Sequence, residues 1–346
     1  MSKQLKLGLA TGYWASGPPA GIEDSIAEAE RLGFDSIWTA EAYGSDCLTP
    51  LAWWGARTSR LKLGTSIAQI SARTPSAMAM AAITLDHLSG GRFILGLGAS
   101  GPQVVEGWYG QPYPRPLERT REYVDIIRRI VARDAPLEFS GRHYQVPFAG
   151  GTGLGKPLKS IVHPLRRDIP IYLGAEGPKN VAMTAEIADG WMPVFFSPKS
   201  DPYYRAALAE GFARPTARCT PDDFEVAAAV SIIVNDDVEA AADMMRPMVA
   251  LYVGGMGARE ANFHYDVVAR LGYEGECRQI QQLYLEGKRR EAMAAVPTRL
   301  IEDIAIIGPA GKVKDRLAEW QTTAATTLLV GGPPPTLRTI AALVNK

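Results

Sequence analysis

The sequence predicts an α/β chain folded as a single (β/α)8 TIM barrel that carries a helical insertion. Three observations lead there. Short apolar runs suited to strands buried on both faces recur eight times, and nearly every one precedes a stretch of helical periodicity. No linker or low-complexity break divides the 346 residues, so one domain is expected over 1–346. Glycines gather at the end of the Phe93–Leu97 run, as at the C-terminal end of a parallel strand that a ligand approaches closely. Alternating β and α units in that number favour a closed barrel over an open sheet. The alternative, two doubly wound domains, needs a boundary near Val146–Pro170, a stretch rich in Gly and Pro.

Leu5–Leu9 begins the first strand. Gly21–Leu32 is an amphipathic helix with Ile22, Ile26 and Ala29 on one face, ended by Gly33. Asp35–Thr39 is the second strand, with Glu41-Ala42-Tyr43-Gly44 as a polar exit, and a helix from about Thr49 to Arg57 leads to the third, Leu61–Ala68. Pro75 suits the first turn of a helix, because its missing N–H has no partner there anyway. Met78, Ala81, Ala82 and Leu85 follow at helical spacing, and Ser89-Gly90-Gly91 breaks the helix. Phe93–Leu97, the fourth strand, runs into Gly96, Gly98 and Gly101. The next stretch, GPQVVEGWYGQPYPRP, is too rich in Pro and Gly for a helix and reads as a long loop.

Leu117–Arg133 is a helix with Tyr123, Ile126, Ile127 and Ile130 inward, and Phe139–Val146 a hairpin around Ser140-Gly141. Ile169–Leu173 is a strand that runs into Gly174–Pro178, before a helix with Val181, Ala185 and Ala188 on one face. Trp191–Phe196, Phe224–Val234 and Thr327–Val330 complete the eight strands. Residues from about 254 to 297 have helical periodicity and no strand, so they form the expected insertion.

Composition excludes several classes. Lys and Arg number 37 against 37 Asp and Glu, so no nucleic-acid surface or anionic membrane is indicated as a partner. Met1–Gln4 leads at once into a strand, leaving no room for a signal peptide. No apolar run approaches the roughly 18 residues of a membrane span. Cys47, Cys219 and Cys277 are few and far apart, as reduced thiols in a cytoplasmic protein would be.

GLGASG at Gly96–Gly101 matches the dinucleotide fingerprint in spelling but not in context, since Pro102, Gly107, Gly110 and Pro112 follow where a helix should open. Tight strand packing is the other use of those glycines. GAEGPKN at Gly174–Asn180 is more telling. Gly177-Pro178 sits at a helix start, whose free N–H groups can hold a phosphate; a sharp strand-to-helix turn would use the same residues. His87, His143, His163 and His264 show no metal-ligand spacing, so no metal is expected, and no G-x-S-x-G elbow marks a hydrolase. Trp14 and Trp108 lie just past strands, where an aromatic can line a pocket.

LGTSIAQISARTP, LDHLSGGRFILGLGASGPQVVEGWYG and YLGAEGPKNVAMTAEIADGW together resemble the bacterial luciferase-like family. More narrowly they resemble its branch that uses the deazaflavin coenzyme F420, which includes methylenetetrahydromethanopterin reductase. The resemblance implies a barrel with the cofactor ring at its C-terminal mouth and a non-prolyl cis peptide at Ser66–Ile67, forming a bulge behind the ring. It assigns cofactor contacts to Ser66, Ile67, Ala68 and Gln69, to Gly98, Ala99, Ser100, Gly101 and Gln103, and to Gly174, Ala175, Glu176, Gly177 and Pro178. Among these, Ser100-Gly101 and Ala175–Pro178 match the turns that hold the phosphate and side chain. Glu41 matches an acidic residue near the ring and is the expected catalytic group. Ala42 stands where sugar-phosphate dehydrogenases of the branch carry a histidine, and their acidic residue after the fourth strand is also missing. A sugar phosphate is therefore not the expected substrate, and the proton donor stays open.

The implied activity is hydride transfer between F420 and a small organic substrate. The alternatives are an FMN-dependent monooxygenase and a barrel that stores or carries the cofactor. A homodimer is expected, with the helical insertion as its surface.

Overall fold

The computed structural model describes residues 4–257 and 262–344. Eight parallel strands form the barrel: β1 (Lys6–Ala10), β2 (Ser36–Thr39), β3 (Lys62–Thr65), β4 (Phe93–Gly98), β5 (Ile171–Gly174), β6 (Gly190–Met192), β7 (Glu225–Ala229) and β8 (Thr327–Val330). Their order is β3-β2-β1-β8-β7-β6-β5-β4, and β4 pairs back onto β3 with Leu63 opposite Phe93 and Gly64 opposite Ile94. That pairing closes the ring.

Strand alternation sorts the side chains into two cores. Leu9, Ile37, Leu63, Phe93, Leu95 and Ile171 face outward and are buried under the surrounding helices. Trp38, Ile94, Tyr172, Met192, Ala227 and Leu329 fill the interior. Trp38 has its space because Gly8 and Gly64 lack side chains: a Cβ on Gly64 would sit 2.3 Å from the Trp38 ring. Trp38 stacks on Tyr172 at 5.7 Å and donates its indole N–H to Ser36 Oγ at 2.8 Å. The interior is thus plugged, and a ligand is left the C-terminal mouth.

β3 stops at Thr65, the Ser66–Ile67 bond is cis as the resemblance implies, and the chain resumes as Ala68–Gln69 alongside Leu97 and Gly98. Thr65 Oγ1 donates to Gly96 O at 2.7 Å and accepts from Gly96 N at 2.9 Å. A Cβ at Gly96 would fall 1.8 Å from Thr65 O, so only glycine permits that approach.

Between β7 and β8 the chain leaves the barrel. Among the described residues of the 254–297 stretch, helices run at Phe263–Val268, Glu274–Leu285 and Arg289–Ala294, and further helices flank it at Val238–Asp243, Arg246–Gly254 and Thr298–Ile304. This excursion has its own apolar core, including Val249, Val253, Val268, Cys277, Ile280 and Leu300.

Three expectations need correction. Phe224–Val234 is not one strand: Val230 N still bonds Leu329 O, whereas Ile232–Val234 pairs in parallel with Ile306–Gly308 in a separate sheet. Ile306–Gly308 itself carries no alternation that would mark it in sequence. Trp191–Phe196 is a strand only to Met192, and Phe195 turns the chain with φ 54°. The stretch after Gly101 is not wholly loop, since Pro102–Val105 makes one helical turn that buries Val105. Proline stops a helix in its interior but favours its first turn, and here Pro102 occupies that turn.

Candidate functional site

A cavity of about 660 Å³ opens at the C-terminal mouth, lined by the ends of the barrel strands and roofed by the excursion. All the residues that the sequence assigns to the site line it, Ala68 excepted. Ala68 is fully buried in the outer core, because successive side chains of a strand face opposite ways and its neighbours Ile67 and Gln69 take the cavity side.

Ile67 lines the cavity. Gly98 and Gly174 make room for it: a Cβ on Gly98 would lie 2.7 Å from Ile67 Cδ1, and one on Gly174 3.3 Å from Cγ2. Beside it, Gln69 is held at two points by Glu41. Gln69 N donates to Glu41 Oε2 at 2.9 Å, and Gln69 Nε2 donates to Glu41 O at 3.1 Å. That leaves Gln69 Oε1 buried with no partner among the described residues. Glu41, the expected catalytic group, is paired with Arg73, whose Nη1 lies 2.8 Å from Oε1 and 3.0 Å from Oε2.

On the β5 side the chain turns through Gly174–Gly177 into the helix Pro178–Ile187, and Lys179 and Asn180 face the cavity. Gly177 is the N-cap residue and supplies no side-chain cap, so the first-turn N–H groups are free to meet an anion. Trp191 Nε1 fixes the turn by donating to Ala175 O at 2.8 Å. Glu176 is buried. Its Oε1 accepts from Val194 N at 2.8 Å, and Oε2 has no partner among the described residues. Burial pushes its carboxyl up to about 8, against the lowering by the Val194 N–H and the nearby Arg270 guanidinium. Across the mouth, Ser100 adopts φ 59° and its carbonyl accepts from Tyr113 OH at 3.1 Å.

The roof comes from Tyr252, Met256, Phe263 and His264. Asn262 fixes it in place. Its Oδ1 accepts from the N–H groups of His264 and Tyr265, while Nδ2 donates to Tyr252 O at 2.9 Å and Val253 O at 3.0 Å. His264 packs edge-on against Tyr252, with ring centroids 4.8 Å apart, and burial lowers its imidazole to about 4. It is neutral at physiological pH.

The family described as luciferase-like monooxygenase matches residues 6–327. The chain belongs to this family. It is 53% identical over 347 residues to a Mycobacterium tuberculosis protein whose name, coenzyme F420-dependent oxidoreductase Rv3520c, is itself provisional; 99% of this chain and all of that one are covered. It is 27% identical to the 5,10-methylenetetrahydromethanopterin reductase of Archaeoglobus fulgidus over 90% of this chain and 89% of the other. Among solved structures, the coenzyme F420-dependent tetrahydromethanopterin reductase of Methanopyrus kandleri superposes with a TM-score of 0.78 at 25% identity, covering 99% of this chain and 98% of that one.

As in the sequence reading, this luciferase-like barrel gathers its candidate site at the ends of β3, β4 and β5. Sequence reasoning missed the roof, together with Tyr13 and Tyr113. Asn262 ahead of Phe263–Val268 is a readable helix start, but nothing local says that this helix reaches back over β4. The sequence gives His264 no metal-ligand spacing, and the fold makes it one wall of an aromatic pocket.

Proposed function

We propose that this luciferase-like chain is an oxidoreductase that uses coenzyme F420 to pass a hydride to or from a small organic substrate. The observation that carries the reading is the whole-length identity of 53% to a relative named as F420-dependent. The cavity fits such a cofactor on two independent points. Gln69 Oε1 is a buried acceptor without a partner among the described residues, suited to a ring N–H. The uncapped start of the Pro178–Ile187 helix, with Lys179, suits the phosphate of the cofactor's side chain.

When bound, the deazaflavin supplies the hydride chemistry. This chain's residues do the rest. Ile67 gives the ring an apolar surface to rest on, with Gly98 and Gly174 holding the backbone back. Gln69 orients the ring edge, and Glu41 with Arg73 keeps Gln69 in place. Ala175, Gly177 and Pro178 on one side and Ser100, Gly101 and Gln103 on the other hold the side chain. The roof of Tyr252, Phe263 and His264 limits access of water to the reacting face.

Titration of the purified protein with F420 and with FMN, followed by a substrate screen with the reduced cofactor, tests the reading. F420 is expected to bind appreciably more tightly. Tighter FMN binding with oxygen consumption would move the chain to the monooxygenase chemistry that its family description carries. Binding of F420 with no turnover across a broad screen would favour a carrier.

A further inference from the structure

A second surface lies away from the cavity, where the helices Leu48–Gly55 and Pro75–Leu88 meet on the outside of the barrel. A groove of about 670 Å³ runs between them, with Leu48, Ala52, Ala81 and Leu85 in its walls. Trp53 and Leu88 border it, and Met80 shares the helix face of Thr84 and Leu88 at four-residue spacing. All three are more than half exposed, Leu88 by 75%.

The chain ahead of β5 extends this face. Residues 147–165 form neither helix nor strand, yet their backbone is pinned. Leu137 N donates to Leu158 O, Arg133 Nε to Ser160 O and His87 Nε2 to His163 O, each at 2.8 Å. The His87 bond sets this arm against the end of the Pro75–Leu88 helix. There a Cβ on Gly91 would lie 3.7 Å from Leu165 Cδ2. Ile161 is 94% exposed, and Val162 and Leu165 are about half exposed. The backbone is fixed while the apolar side chains are held outward.

At roughly 100–200 Å² each, Trp53, Met80, Leu88, Ile161, Val162 and Leu165 present on the order of 800 Å². A monomer seldom leaves more than about 300–600 Å² of contiguous apolar surface open, and a stable interface buries about 800 Å² on each side. Charge decides which partner fits. Arg57 lies 5.3 Å over the Trp53 ring and pairs with Glu23, Arg166 pairs with Asp86, and Lys159 donates to Asp134 O. Cations matched in this way offer little to an anionic membrane. A second copy of the chain fits instead, because groove and projecting arm lie on one face and a two-fold axis sets each against its mate. The excursion between β7 and β8, the dimer surface expected from the sequence, turns its apolar side chains into its own core.

We propose that the groove between Leu48–Gly55 and Pro75–Leu88, with the arm beside it, is the interface of a two-fold homodimer. None of its six exposed apolar residues lines the cavity, so the proposal stands apart from the cofactor reading.

Sedimentation equilibrium of the purified chain tests it, with Leu88→Glu, Ile161→Glu and, on the excursion, Leu285→Glu, a position 53% exposed. Wild type should be a dimer at micromolar concentration. Leu88→Glu and Ile161→Glu should each weaken the dimer about a hundredfold or more, since each brings an unpaired carboxylate into the interface. Leu285→Glu should leave it unchanged. The three side chains are exposed on the protomer, so circular dichroism should show native secondary structure in every variant. Hydrogen exchange of wild type needs no substitution: protection over residues 154–165 should rise as concentration passes the dimer dissociation constant.

A wild type that stays monomeric, a dimer that either Leu88→Glu or Ile161→Glu leaves intact, or one that Leu285→Glu dissociates would overturn the proposal. So would arm protection that does not change with concentration. Binding of wild type to phosphatidylcholine–phosphatidylglycerol vesicles that Ile161→Glu abolishes would give the face to a membrane and overturn it too.

Discussion

Arg73 sets one guanidinium nitrogen 2.8 Å and 3.0 Å from the two carboxylate oxygens of Glu41, and the Glu41 side chain is only 3% exposed. The pair joins the exit of β2 to the turn after Ala68–Gln69 and fixes Gln69 between them. The carboxylate thereby holds Gln69 and Arg73 in place at the cavity wall.

Breaking that pair should cost stability first. Glu41→Gln leaves Arg73 only the longer pairing with Asp46 at 3.7 Å and is expected to lower unfolding free energy by about 1–3 kcal/mol in urea titrations. F420 affinity should fall with it, because Gln69 loses its anchor. Adding Arg73→Met should recover part of the stability, since the under-compensated charge is gone. Full stability with sharply reduced turnover in Glu41→Gln would return Glu41 to the role of proton donor.

Two glycines should behave in opposite ways. Gly96→Ala places a Cβ 1.8 Å from Thr65 O and should destabilise the barrel by about 3 kcal/mol or more, or prevent folding. Gly177 has φ −79°, and a Cβ there meets nothing within 4 Å. Gly177→Val should therefore leave the melting temperature nearly unchanged, yet weaken F420 binding about tenfold where the side chain enters the phosphate site. A drop in melting temperature with unchanged affinity would mean that Gly177 serves the turn alone.

Glu176 gives a pH dependence with a definite sign. Its folded-state carboxyl is raised to about 8 from an ordinary value of 4.5, so the folded state holds a proton that the unfolded chain releases. The associated stability is fully present below the unfolded value and is lost as pH rises through about 8. Glu176→Gln should flatten the decline between pH 5 and 8 in thermal melts, to within ~1 °C per pH unit at this position's share. F420 affinity of the wild type should also fall above pH 8, where an ionised Glu176 lies near the anionic side chain, and the variant should lose that fall.

Asn262 is the point of the roof to probe. Asn262→Ala removes the cap of Phe263–Val268 and the two bonds to Tyr252 O and Val253 O. A loss of about 1–2 kcal/mol is expected, with faster hydrogen exchange at His264 and Tyr265. Unchanged exchange there would show the roof to be held by packing.

The sequence by itself determined the alternation of strands and helices, the glycines at the end of β4 and the helix start at Pro178. Each is written within a dozen residues, as apolar periodicity, a missing Cβ or a proline in a first turn. Only the tertiary structure decided which strands meet and which side chains share the mouth. Closure of β4 onto β3, the diversion of Ile232–Val234 to Ile306–Gly308, and the engagement of Glu41 with Arg73, 32 residues away, leave no local trace. Arg270 donates to Glu176 O across 94 residues, and His264 arrives over β4 by the same route. The physical reason is that local pattern fixes which face of an element is apolar, whereas the partner for a buried polar atom is set by how the barrel and its excursion close in space.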